Sequence, residues 1–159
     1  MSRRAEQEAH SLAHSAPARW PEFVRSKLIR FGHCDPAGIV FYPQYLIMIN
    51  EVIEDWFAET LKSGFVELHQ RRHIAVPTVH FECDFARPSR FGDVVDFRLA
   101  VTGVGGSSLS LEVLAACASE KRLTAAVVLV FMSLKTSRAI RIPDDIRLQI
   151  DSQKLAENP

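Results

Sequence analysis

The chain has no charge of one sign to spare. In 159 residues, 19 Lys+Arg stand against 19 Asp+Glu, a formal net charge of zero. Nucleic-acid binders carry a basic excess, so no nucleic-acid partner is expected. Cysteine is scarce as well: Cys34, Cys83 and Cys117 are odd in number, widely spaced and form no CxxC. That argues against a disulfide framework or a zinc site, and for a reducing, cytoplasmic setting. Long apolar runs are missing. The longest, Ala125 to Met132, is far too short to span a bilayer, and no apolar signal region opens the chain. No GxSxG, P-loop or Rossmann fingerprint occurs, which argues against serine hydrolases and nucleotide-dependent enzymes. No motif calls for a cofactor.

What is present suits one domain with a real core: 47% hydrophobic and 24% charged residues. A polar leader over 1–20 reads as disordered, and 21–159 as a single domain. Alternation predicts a first strand from about Phe23 to Arg30. From Gln44 to about Lys62 the period becomes helical. Tyr45, Ile49, Val52, Ile53, Trp56, Phe57 and Thr60 form one stripe, with Pro43 in the first turn and Gly64 as the cap. Strand patterns follow at Val79–Phe85, Val95–Val101 and Leu109–Ala115. A nearly continuous apolar run from Leu123 to Leu134 reads as a central strand covered on both faces. Arg71-Arg72-His73 reads as a solvated loop, and a short helix is expected after Pro143. One long helix against a five-stranded antiparallel sheet is an α+β architecture. A helix covers only one sheet face, so oligomerisation is expected.

The chemistry centres on Phe31-Gly32-His33-Cys34-Asp35-Pro36-Ala37-Gly38, just before that helix. Asp-Pro-Ala-Gly is what a type I turn wants, so Asp35 has a purely structural reading. It also has a functional one: a carboxylate beside helix-start N–H groups that lack partners is suited to acyl transfer. Pro36 is counted with the substrate wall. His33 reads as a solvated turn residue or a substrate contact. Cys34 lacks a partner pattern for a nucleophile and reads as a packed thiol. Asn50 reaches a ligand's polar end or lies on the surface. His80, Glu82 and Asp84 share a strand face, which is a wet face rather than a metal site. Ser107 and Ser108 follow a glycine pair, as a phosphate- or pantetheine-binding hairpin or as an ordinary turn.

The segment Phe31 to Tyr45 resembles the signature of the 4-hydroxybenzoyl-CoA thioesterase family of hotdog-fold proteins. Pro88-Ser89-Arg90-Phe91-Gly92-Asp93 resembles that family's second motif, and Gly105-Gly106-Ser107-Ser108 its fourth-strand hairpin. The likeness covers about Phe23 to Pro143. It implies a hotdog fold, with a curled five-stranded antiparallel sheet wrapped around one long helix. It also implies acyl-CoA hydrolysis without metal or prosthetic group. Asp35 matches the catalytic carboxylate, and the Tyr42 N–H the oxyanion donor. The family pairs subunits so that two sheets become continuous. Its dimers often form tetramers, and its sites lie at the subunit boundary. His33 and Asn50 stand where the aromatic-acyl enzymes carry acids. Gly105 and Gly106 stand where they carry basic residues against the nucleotide phosphates.

The reading is a cytoplasmic, homo-oligomeric acyl-CoA thioesterase with no membrane partner. Its acyl group is aromatic or short to medium, and Asp35 is nucleophile or general base. Two alternatives stand beside it: a hotdog hydratase or dehydratase using His33 with Asp35, and a non-catalytic acyl-CoA-binding module.

Overall fold

The computed structural model describes residues 20–154. Strand β1 (Phe23–Leu28) leads through a 3-10 turn (Phe31–His33) to helix α1 (Tyr42–Glu59) and a π-helical turn (Glu67–Arg71). Strands β2 (Ile74–Ala75), β3 (Thr78–Phe85), β4 (Val94–Val104), β5 (Ser108–Cys117), β6 (Glu120–Val130), β7 (Met132–Ser133) and β8 (Arg138–Ala139) follow, then helix α2 (Asp144–Ser152). The main sheet has five antiparallel strands in the order β1-β4-β5-β6-β3, and a small sheet joins β2, β7 and β8.

Alternation builds the core. Val95, Phe97, Leu99 and Val101 of β4 share one buried face with Leu109, Leu111, Val113 and Ala115 of β5 and Leu123, Ala125, Val127 and Leu129 of β6. The stripe of α1 packs in the same cluster, with Met48, Val52, Trp56 and Phe57 each at most 3% exposed. Burying one such side chain is worth roughly 1.5–3 kcal/mol.

Several boundaries differ from the sequence expectation. β1 stops at Leu28. Helix α1 begins two residues earlier, at Tyr42, which puts Pro43 at its second position. It also ends earlier, so Thr60 is its cap and not part of the buried stripe. The left-handed residue is Lys62 (φ 55°), not Gly64. The Leu61 and Ser63 N–H groups reach back to the Trp56 and Phe57 carbonyls, and that reversal sets the chain's exit. β6 lies between β5 and β3, but only one face is covered. Ala126 is exposed and Val128 and Val130 half-buried, because alternate residues point outward and no second layer among the described residues lies over Ala126.

The basic run is not wholly solvated. Arg72 holds Asp145 through two bonds, 2.8 and 3.0 Å, and so pins α2. Residues 1–19 of the expected leader lie outside the described residues. Trp20, assigned to that leader, is buried, and its indole N–H donates to the Ile150 carbonyl at 2.9 Å. Among the described residues no helix is long and apolar enough to cross a membrane.

Candidate active site

Between β1 and α1 the chain makes a narrow hairpin, in which Cys34 pairs with Val40. Asp35-Pro36-Ala37-Gly38 is its turn. The Gly38 N–H donates to the Asp35 carbonyl at 2.9 Å, and Gly38 takes φ 76°, a conformation that favours glycine. The Asp35 side chain divides its work. Oδ1 accepts the Ala37 N–H at 2.9 Å, tying down the turn. Oδ2 has no hydrogen-bond partner among the described residues. The half-buried residue lines a cleft of about 480 Å³ with Phe31, Cys34, Pro36, Gly38 and Phe91. The Phe31 and Phe91 rings meet edge to face, with centroids 6.3 Å apart, and remain largely exposed.

Phe41 is the extended residue before α1 (φ −67°, ψ 121°). Its N–H donates to the His33 carbonyl at 3.0 Å, and its own carbonyl accepts the Gln44 N–H at 2.8 Å. Pro43 has no N–H to offer. That leaves the Tyr42 N–H at the positive end of the helix dipole, with no acceptor among the described residues.

The other candidates are dispersed. Pro36 lies in the Asp35 cleft. Cys34 lines the same cleft, and its Sγ sits 3.7 Å from the Arg30 carbonyl. His33 Nδ1 accepts the Arg30 N–H at 3.0 Å, so the neutral ring carries its proton on Nε2. His33 lines a different groove, of about 450 Å³, with Lys27, Arg30, Gln44 and Glu51. Asn50 is exposed on α1 and edges a third concavity of about 240 Å³, where Leu46, Ile49, Ile53, Phe81 and Thr78 meet between α1 and β3. His80, Glu82 and Asp84 are exposed on β3, on the face opposite the core, with 3.8 Å between the His80 ring and Glu82.

Ser107 and Ser108 sit in the β4–β5 hairpin, at the far end of the sheet from Asp35. The carbonyls of residues 105–108 all accept: Gly105 from Arg147, Gly106 from the Ile142 N–H, Ser107 from the Phe131 N–H and Ser108 from the Gly105 N–H. The Gly106 and Ser107 N–H groups have no acceptor among the described residues. The turn therefore uses its negative ends internally and leaves positive ends unused. A Cβ on Gly105 would lie 2.5 Å from Ser108 Oγ, a side-chain atom that a change of rotamer moves away.

Sequence reasoning passed over three contributors. Phe91 is legible only as a member of the Pro88–Asp93 motif, and nothing local shows it facing Phe31. Tyr45 was absorbed into the apolar stripe, although its phenol donates to Ser89 Oγ at 2.6 Å in a buried site. Burial pushes that phenol's pKa up, so it stays protonated. Arg147 is 42 residues from the hairpin carbonyl it holds, a separation that no periodicity reports.

A curled antiparallel sheet wrapped on one long helix, with an acid-bearing turn at the helix start, is the hotdog architecture. The chain belongs to the Thioesterase-like superfamily, whose family model matches residues 29–150. It is 33% identical over 87 residues to a 1,4-dihydroxy-2-naphthoyl-CoA hydrolase of Synechococcus elongatus. That match covers 53% of this chain and spans 62% of the relative's length. Among solved structures, a gentisyl-coenzyme A thioesterase superposes with a TM-score of 0.74 at 26% identity, covering 80% of this chain and 99% of that one. A thioesterase-superfamily protein of Jannaschia sp. CCS1 gives a TM-score of 0.80 at 23% identity, over 90% of this chain and 100% of that one, and so shares the fold.

Proposed function

We propose that the protein is an acyl-CoA thioesterase that takes an aromatic acyl group. One observation carries the reading: a carboxylate with a free oxygen in an aromatic-lined cleft, next to a helix whose first N–H is unused. Water is consumed, the C–S bond breaks, and a free acid and the CoA thiol leave. Asp35 either adds to the thioester carbonyl to give a mixed anhydride or takes the proton of the attacking water. The Tyr42 N–H, aided by the helix dipole, stabilises the tetrahedral oxyanion. Loss of one such donor costs on the order of 100-fold or more in rate.

Phe31, Phe91 and Pro36 offer the flat apolar faces that an aromatic ring packs against. The names of the Synechococcus relative and the gentisyl-CoA enzyme, both acting on aryl-CoA esters, agree with that choice. The nucleotide end of CoA is assigned to the hairpin, where the free Gly106 and Ser107 N–H groups, the Ser107 and Ser108 hydroxyls and the Arg147 guanidinium stand in for the missing basic pair. β4, 11 residues long, separates the two ends by about 35 Å. One ligand using both would therefore lie between subunits. The open edge of β3, with Val79 and Phe85 exposed beside Leu46 of α1, is the surface for pairing with a second copy. His33 and Asp35 line separate concavities, which favours hydrolysis over hydration.

The test is thiol release from a panel of benzoyl-, hydroxynaphthoyl-, phenylacetyl- and aliphatic-CoA esters. Aryl esters are expected to turn over fastest. Binding without release across the panel would make this a carrier and not a hydrolase. Single turnover in oxygen-18 water separates the two routes, because label in the Asp35 carboxylate marks the anhydride.

A further inference from the structure

We infer that Tyr45 and Ser89 are positioning residues, a buried hydroxyl pair that fixes the Asp35 turn relative to the Tyr42 N–H. The inference rests on the thioesterase reading of those two groups. The Tyr45 phenol donates to Ser89 Oγ at 2.6 Å, with Tyr45 3% and Ser89 0% exposed. Exchanging two buried hydroxyls for apolar groups of similar shape is nearly neutral in stability. What such a bond supplies is a specified geometry.

The surrounding bonds show which geometry. Ser89 also accepts the Val40 N–H on its carbonyl at 2.9 Å, and the next residue, Arg90, bridges Ile39. Ile39 in turn accepts the Asp35 N–H at 3.0 Å. Ser89 is thus bonded through its backbone to the hairpin carrying Asp35, and through its side chain to the first turn of α1. Its loop is anchored on both sides: the Ala86 N–H donates to Arg122 at 2.8 Å, and the Gly92 N–H to Ile29 at 2.9 Å. The three pieces form a triangle. Hairpin and helix are joined by the chain at Phe41, hairpin and loop by the Val40 bond, and helix and loop by the Tyr45 phenol. Without the third side, no hydrogen bond ties helix to loop, and the angle between carboxylate and amide rests on the Phe41 dihedrals, the Phe41 N–H bond to the His33 carbonyl and the apolar packing of Val40 with α1. A displacement near 1 Å in a reacting group costs on the order of 100-fold in rate.

The experiment compares Tyr45→Phe, Ser89→Ala and the double variant with the full chain and with Asp35→Asn. Steady-state turnover of the best aryl-CoA ester is measured well below each melting temperature. Backbone hydrogen exchange is followed over residues 33–42. The expected result is a kcat loss of about 10- to 100-fold in each single variant, with KM within about threefold. The double variant should lose no more than either single one, because one bond is deleted in all three. Exchange over 33–42 should quicken in all three. A kcat within twofold of the full chain, single losses that multiply, or unchanged exchange over 33–42 would each overturn the strut. If the unaltered chain releases no thiol from any ester, the thioesterase reading fails by itself, and the exchange measurement still decides whether the pair holds the hairpin.

Discussion

The two ends of the main sheet answer the same local problem in opposite ways. Among the described residues, the Asp35 turn at the β1–α1 end leaves an acceptor free (Oδ2), and the helix start leaves a donor free (the Tyr42 N–H). At the β4–β5 end the turn residues 104–108 include no acid. Every carbonyl of residues 105–108 is occupied, and among the described residues the backbone groups left unused there are the Gly106 and Ser107 N–H donors. An end with both signs suits bond making and breaking, where charge moves. An end with donors alone suits holding an anion that does not react. On the proposed reading, the fold separates chemistry from grip by which backbone groups each turn leaves unused.

The largest blow to this contrast is Asp35→Asn. Turnover is expected to fall by about a thousandfold or more, with the melting temperature little changed, because the amide oxygen still accepts the Ala37 N–H. Lost stability with retained turnover would reduce the acid to turn chemistry. Arg147→Gln probes the other end. The KM for the CoA ester should rise about tenfold, as a charged hydrogen-bond donor is lost. The KM for the matching N-acetylcysteamine thioester, which has no nucleotide, should not move. Equal changes for both substrates would erase the assignment of grip to the hairpin. Phe91→Ala should raise KM severalfold for aryl esters and leave short aliphatic esters nearly unaffected.

The smallest effect lies outside both ends. The Arg72 hydrogen bond and charge hold the Asp145 carboxyl below its usual 3.8. A depressed carboxyl stabilises the fold above its unfolded value, and that contribution vanishes as pH falls through the lower folded value. Arg72→Met should therefore cost about 0.2–1 kcal/mol at pH 7, as for a largely exposed pair. That cost should shrink as pH falls below 3.8 through the lower folded value, as denaturant melts across that range would show.

The sequence carried the architecture because the architecture rests on local periods. The buried stripe of α1 and the alternation in β4 and β5 are each legible within a dozen residues. The Asp-Pro-Ala-Gly turn was legible for the same reason, and so was the free N–H beside Pro43. The expected cover over both faces of Leu123–Leu134 was misread because small apolar residues such as Ala126 tolerate exposure at little cost. The long-range pairs at the two ends of the sheet were not legible. Phe31 meets Phe91, Tyr45 meets Ser89 and Arg147 meets Gly105 across separations fixed only by strand order. His33, Asp35 and Asn50 each read as candidate site residues, but a hairpin and a helix set them along three separate concavities.

The unused donor at residue 42 belongs to the main chain, so side-chain scanning is blind to it. Alanine there removes a phenol and leaves the amide in place, and position 42 is free to drift without touching the proposed oxyanion contact. Only a residue without an amide hydrogen deletes the group. Helix starts accept proline, and Phe41 already has the extended backbone that a following proline requires. Tyr42→Pro should silence turnover where Tyr42→Ala does not.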